Sequence, residues 1–343
     1  MCTGVRLPLG FSGRRQVKAV QVDRFGGPEA LRMVEVPRPE LASDEVLLEV
    51  RAAAVNRVDI LLRSGRYHTP PTLPFVPGRE ASGVVREVGS GVDDFRPGDP
   101  VVALAGRPGG YAEFMAAPAR RAFRMPEGLD WASAASLPIA WLTAWYCLGR
   151  VARVQKGETV LVHAAASGVG DAAVQIAKYL GARVVATAGS DEKVAWARSN
   201  GADWGINYER QDVVSEIARI TEDRGVPVVI DAVGGPVFAV SLKAVGRGGR
   251  VVALANVSLE DSVVNTRDFY PKNATIYGFQ IANLMEEGYD PRQDMEDLMG
   301  LVASGTLRVH VDHVFPLGAA GEAHAYVEDR RNRGKVVLLP EEG

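Results

Sequence analysis

Between residue 17 and about residue 130, apolar and polar positions alternate in short runs, VKAVQV, EVLLEVRAAAV, ASGVVREVG and DPVVALA, cut apart by FGGPE, RPGD and RPGG. A period of two bounded by Gly and Pro predicts strands, and many short strands at close spacing predict a barrel-like or sandwich-like sheet. From about Leu137 the pattern changes, and apolar runs alternate with stretches of helical period, the mark of parallel βαβ units. Strands are expected at TVLVHAA, ARVVATA, WGINY, PVVIDAV, RVVALAN and TIYGFQI, with helices at VGDAAVQIAKYL, DEKVAWARSN, DVVSEIARIT and VFAVSLKAV. Six such strands complete a doubly wound parallel sheet, and the VVI and VVA runs carry few polar breaks, as strands covered on both faces should.

After about Asn283 an acidic helix-like stretch, MEEGYDPRQDMEDLMGLVASG, leads into a strand (LRVHVDHVFP), a helix (GAAGEAHAYVEDR) and a last strand (KVVLLP). This tail is too small for a core of its own, and the β-rich first part needs helices to cover it. The tail is therefore expected to fold back onto it. The resulting division is 17–138 with 284–343 as one domain and 139–283 as the other. Residues 1–16 form an extension expected to fray, because an ordered pattern starts only at Val17.

Composition agrees with two domains. The 343 residues exceed the ~250–300 at which single cores stop growing. Apolar residues at 47% and charged ones at 24% supply two packed cores. A net charge of −3, with both signs interleaved, argues against a nucleic-acid partner. No apolar stretch reaches the ~18 residues of a membrane span, and the run in the extension is too short and broken for a secretory signal. Two cysteines, Cys2 and Cys147, exclude a disulfide framework and a Cys-rich zinc lobe, so a cytoplasmic setting is expected.

The strongest chemical signal is GETVLVHAAASGVGDAAVQIAKYLGARVVATAG. A strand, 160–163, runs into a turn of small residues, 164–170, and then into an amphipathic helix. Ala166, Ser167, Gly168, Val169 and Gly170 let backbone N–H groups approach a pyrophosphate, which larger side chains would hold off. This is a Rossmann-type site; a tight turn without a ligand is the bland alternative. The second strand ends Ala186-Thr187-Ala188-Gly189-Ser190, without the acid that usually binds a ribose 2′-OH. Asp191 and Glu192 read as first-turn residues of a helix capped by Ser190. A pocket without a carboxylate suits a 2′-phosphate, hence NADPH, and Lys193 could reach that phosphate; by residue type alone Lys193 is a solvated helix lysine.

These residues resemble the medium-chain dehydrogenase/reductase superfamily, in particular its zinc-independent quinone oxidoreductase group, which includes zeta-crystallin. The resemblance covers 17–340. Gly157-Glu158, Leu161, Ala165-Ala166, Gly168, Gly170, Gln175 and Lys178 stand at the spacing of that group's signature, with Ser167 in place of its usual Gly. Gly78-Arg79-Glu80, Gly83 and Gly89 follow the superfamily's zinc-dehydrogenase signature, in which zinc members carry a His ligand at the position of Arg79 and a Cys at that of Asn56. Arginine cannot ligate zinc, and the five histidines do not cluster with cysteine, so no metal is expected. The resemblance implies a Rossmann NADPH-binding domain and a GroES-like substrate domain formed by the N-terminal part and the C-terminal tail. It places Lys193, Tyr208 and Arg330 at a 2′-phosphate clamp and Thr143 on the nicotinamide side. Asn56 and Asp59 fall at the active-site floor. Val233-Gly234 and Asn256 fall in loops around the nicotinamide, though all three also read as strand-end turns. It also suggests a homodimer joined along the strand at 274–280.

Without zinc to polarise a simple ketone, the expected acceptors are quinones and conjugated enones, whose charge is already delocalised. The expected reaction is hydride transfer from NADPH to such a small molecule. Tyr67 resembles one of two tyrosines proposed as proton or hydrogen-bond donors in the family, the other position being Leu61; it also reads as a loop aromatic lining the pocket. Arg79 either holds a substrate oxygen or carboxylate, or pairs with Glu80 or Asp59. Trp141, Phe269, Tyr270 and 283–294 are expected at the cleft mouth. Two rival readings stay open: a 2-alkenal or enoyl reductase, and a structural or adaptor protein that binds NADPH with little turnover.

Overall fold

The computed structural model describes residues 16–341. The expected extension therefore lies outside the described residues except for Gln16, which opens the first strand. A hairpin comes first: β1 (Gln16–Val22) and β2 (Leu31–Pro37) pair antiparallel from Gln16↔Pro37 to Val22↔Leu31. Then follow β3 (Glu45–Val55), α1 (Arg57–Arg63), β4 (Glu80–Val88), β5 (Pro100–Leu104), β6 (Phe114–Pro118), β7 (Ala122–Arg124), α2 (Trp131–Ala135) and α3 (Ala140–Tyr146).

The second unit runs β8 (Thr159–Val162), α4 (Gly168–Tyr179), β9 (Arg183–Ala188), α5 (Asp191–Ser199), β10 (Trp204–Asn207), α6 (Val213–Thr221), β11 (Val226–Asp231), α7 (Pro236–Ala244), β12 (Val245–Ala253) and β13 (Thr275–Gly278). Its six strands lie in the order β10-β9-β8-β11-β12-β13, all parallel. From β8 the chain builds outward to β10, then returns to lay β11 on the other side of β8. The helices after β8 and β11 leave for opposite faces, which opens a crevice at the C-terminal ends of these two strands. Ser167, Ser190 and Asp212 start α4, α5 and α6 by accepting from the amides of Gly170, Lys193 and Ser215.

The tail forms α8 (Ile281–Glu286), α9 (Arg292–Ala303), β14 (Val311–Pro316), α10 (Ala320–Glu328) and β15 (Lys335–Leu339). The helix-like pattern read as one stretch is two helices, because Gly288 at φ +102° turns the chain and Pro291 precedes α9. The strand expected from Leu307 begins only at Val311. β15 completes the first sheet, whose order is β14-β15-β3-β4-β5-β7 with β6 also on β3. β3 thus carries β4 along one edge, and β6 and β15 in succession along the other, and is nearly buried throughout.

One apolar cluster fills the space between β3, β4, β5 and α10. A second joins Leu142, Leu148 and Ile176 to Met295, Leu298 and Met299 of α9 and to Val102, Leu104 and Phe123 of the first sheet, so α9 lies against both units. Trp141 belongs to this core at 1% exposure, not to the cleft mouth. α3, which carries it, packs against α4 and α9. Among the described residues no helix is long and apolar enough to cross a membrane.

Candidate active site

The crevice loop owes its shape to steric limits. A Cβ on Gly170 would stand 2.2 Å from the Ala164 carbonyl oxygen, so only glycine lets α4 start this close to its strand. A Cβ on Gly168 would stand 2.6 Å from Cδ of Lys335, so β15 presses the loop from the other side. The Gly334 amide donates to the Ala166 carbonyl at 2.9 Å, tying loop to strand. Ser167 departs from the family's glycine but spends its hydroxyl on the Gly170 amide at 3.1 Å. The amides of Gly168 and Val169 open the helix, where α-helical geometry offers no acceptor and the dipole favours an anion.

At the end of β9, four sequence-predicted residues come together. The Ser190 hydroxyl caps α5 through the Lys193 amide at 3.2 Å. The Lys193 ammonium donates to the Arg330 carbonyl, and burial and the Arg330 charge lower its pKa. Tyr208 stands over Gly189, where a Cβ would meet its hydroxyl at 2.7 Å. Asp191 is turned away, accepting from Asn207 at 2.6 Å and from Arg210 at 2.5 Å. The corner thus holds two cations and a phenol, with no acid bonded to either cation.

The floor is a buried polar cluster. Asn56 caps α1, its amide donating to Asp59 at 2.9 Å in a capping box. Its side chain donates to Glu80 at 2.7 Å and accepts from Lys335 at 2.7 Å. Lys335 also donates to Glu80 at 2.9 Å, and the second oxygen of Glu80 accepts the Ile139 amide at 2.6 Å. Asp59, at 0% exposure, accepts from the Gly78 amide at 3.3 Å. Burial pushes its pKa up to about 7, against the amide of Asn56 and the charge of Arg79, which lower it. Behind it the Tyr111 hydroxyl lies 3.5 Å from Asp59 and 3.0 Å from Nε2 of His324. Nδ1 of His324 faces the Arg63 guanidinium at 3.4 Å, which only donates, so Nε2 carries the proton. Burial lowers the His324 pKa to about 3.

The pairing of Arg79 with Glu80 or Asp59 is not found: Glu80 is taken by Lys335 and Asn56, and Arg79 forms no ion pair among the described residues. Tyr67 leaves the floor and meets Gln280, whose amide donates to its hydroxyl at 2.6 Å. Thr143 is buried at 7% exposure. Val233 and Gly234 form a strand-end turn in which both amides donate to Asp231, at 2.8 and 3.0 Å. Asn256 stands against Gly234 and spends its side chain inside its own loop, on Glu260 and Ser258. Phe269 is half-buried against an apolar cluster of the second unit, and Tyr270 is 62% exposed. Among the described residues no three His, Cys, Asp or Glu side chains converge as a metal site would require. Sequence reasoning missed Glu80, Lys335, Gln280, Tyr111 and His324 as parts of this site. For Lys335 a signal existed, a lysine opening a run, KVVLLP, that is otherwise apolar.

Residues 42–127 match the model of the alcohol dehydrogenase GroES-like domain, and residues 168–304 that of the zinc-binding dehydrogenases. Quinone oxidoreductase from Rattus norvegicus is 34% identical over 333 residues, 96% of this chain and 99% of that protein. The Escherichia coli quinone oxidoreductase, solved in complex with NADPH, superposes with a TM-score of 0.87 at 33% identity, covering 94% of this chain and all of that one. The Pseudomonas syringae enzyme of the same name gives 0.89 at 33% identity over the same shares. The chain belongs to the quinone oxidoreductase family of the medium-chain dehydrogenase/reductase superfamily.

The buried Asp59 carries a pH dependence. Its pKa rises from an ordinary 3.8 to about 7 on folding, so the folded chain keeps a proton that the unfolded chain releases. Stability contributed by this proton is full below 3.8 and is lost as pH rises through 7, by on the order of 4 kcal/mol. Asp59→Asn, which cannot ionise, should gain stability relative to the parent protein as pH rises from 4 to 8, read by urea unfolding. A stability difference independent of pH would refute this.

Proposed function

We propose that the chain is an NADPH-dependent oxidoreductase that reduces a quinone or similar conjugated carbonyl compound without zinc. The observation that carries the cofactor is the corner at the end of β9. Lys193 and Arg330 with Tyr208 form a cationic cradle there, and the nearby Asp191 is engaged elsewhere. A 2′-phosphate fits such a cradle, and a bare 2′-hydroxyl would leave the cations without a bonded anion. NADPH, when bound, supplies a hydride.

The residues of the chain then bind and orient. The amides of Gly168 and Val169 hold the pyrophosphate, with Ala166 and Ser167 leaving room for it. Val233, Asn256 and Thr143 stand around the nicotinamide half, and the Asn56–Asp59 floor sets the other wall of the crevice. The Tyr67 hydroxyl accepts from Gln280, which leaves its own proton free for an acceptor oxygen. Zinc has no place in this donor set, because the positions of two zinc-member ligands hold Asn56 and Arg79. The acceptor is therefore one that needs no Lewis acid.

Lys193→Ala should raise KM for NADPH about tenfold or more with 1,4-benzoquinone as acceptor, while KM for NADH stays nearly unchanged. Equal effects on both cofactors would remove the phosphate cradle. Tyr67→Phe should lower kcat with the same quinone; full activity would leave Tyr67 as a pocket wall. Two copies are also expected to associate through β13, an edge strand whose Ile276 and Tyr277 are exposed at 38% and 37%. Sedimentation of a monomer at micromolar concentration would overturn that.

A further inference from the structure

Arg79 and Arg121 stand just outside β4 and β7, on either side of the end of β5. The Ala105 amide donates to the Arg79 carbonyl at 2.8 Å, and the register Ala103↔Ala122 carries the chain back to Arg121 on the other side. Arg121 is only 9% exposed, and its Nε is buried with no hydrogen-bond partner. Neither guanidinium forms an ion pair or a side-chain hydrogen bond among the described residues. The two are close enough to repel, and burial together with the charges of Arg120 and Arg79 lowers the pKa of Arg121.

The chain offers little to balance them. Asp59, the carboxylate that acts on Arg79, has its pKa raised by burial to about 7 and is only partly ionised at that pH. Glu286, which acts on Arg121, is exposed on α8. Guanidinium groups stay charged at any ordinary pH, and Arg121 carries its charge with Nε buried and unpartnered, which is costly. Such a pair is stable when an anion joins it. The phosphate positions of the dinucleotide lie elsewhere, at the start of α4 and at Lys193 and Arg330. Arg79 lies across the floor from them: Gly168 touches Lys335, Lys335 bonds Asn56, Asn56 bonds Asp59, and Asp59 holds the Gly78 amide beside Arg79.

We infer that Arg79 and Arg121 form a subsite for a carboxylate on the acceptor, so that the physiological acceptor is a conjugated carbonyl compound bearing a negative charge. This rests on the reading of the crevice as the site where NADPH meets its acceptor. A carboxylate suits the site because positive charge outweighs negative there, Arg79, Arg120 and Arg121 standing against Glu286 and a partly ionised Asp59.

The test compares 1,4-benzoquinone-2-acetate with its methyl ester, which share a ring and differ in charge. In each case one NADPH and one proton convert the quinone to the hydroquinone. The wild-type protein should prefer the acid in kcat/KM by about tenfold or more. Arg79→Gln and Arg121→Gln should each bring that ratio close to one through KM for the acid, and Arg79→Lys should restore part of it. A second arm needs no turnover: calorimetry of the hydroquinone acid and its ester against protein saturated with NADP+ should show the acid binding more tightly, and less so in both variants. A wild-type ratio near one with both quinones reduced overturns the subsite and leaves the function standing. So do variants that weaken NADPH binding while keeping the ratio, since their arginines would face the dinucleotide. Failure of both quinones to react would overturn the proposed function instead. The calorimetric arm would then still decide the subsite, with equal binding of acid and ester counting against it.

Discussion

One ammonium group fixes the distance between the two halves of the crevice. Lys335, 4% exposed at the start of β15, donates to Asn56 and to Glu80, and the stem of its side chain lies under Gly168 of the phosphate-type loop. Glu80 passes the connection on to the Ile139 amide, at the entry to α3. The cap of α1, the first residue of β4, the lead into the nucleotide unit and the last strand therefore meet at one charge. Burying an ion pair costs desolvation, and removing one partner of such a pair typically costs about 3–5 kcal/mol because the other is left uncompensated. Here Lys335 donates to two neighbours and Glu80 accepts from three, so both charges are held in place by hydrogen bonds.

Much of the fold was legible in the chain's own pattern. The six strands of the parallel sheet and the four helices between them coincide with the apolar runs, because strands covered on both faces must be continuous and surface helices must be striped. The phosphate-type loop was legible for a steric reason, as Ala, Ser and Gly in succession allow close approach. The cofactor corner was legible in part. The missing acid after β9 is a local fact, whereas the presence of Arg330 depends on a chain segment 137 residues beyond Lys193.

What sequence could not supply was which charge meets which. Arg79 precedes Glu80 in the chain, so adjacency suggested a pair, but tertiary packing hands Glu80 to a lysine 255 residues away. The pairing of Tyr67 with Gln280 and of Tyr111 with His324 is likewise made by tertiary packing between distant segments. No period or motif encodes such contacts. The break between α8 and α9 was encoded, in Gly288 and Pro291.

The first sheet is finished by its latest-made strand. Residues 336–338 pair with 53–55, and β14 pairs with β15, so the edge of β3 that carries Ala53–Val55 has no strand partner until residues 336–338 have been made. The nucleotide unit, by contrast, draws all six of its strands from one continuous stretch and can close its sheet as it leaves the ribosome. Order of assembly thus follows from topology: the parallel sheet is in place first, and the corner that includes Arg330 and the polar floor wait for the segment from 330 to 335 to arrive.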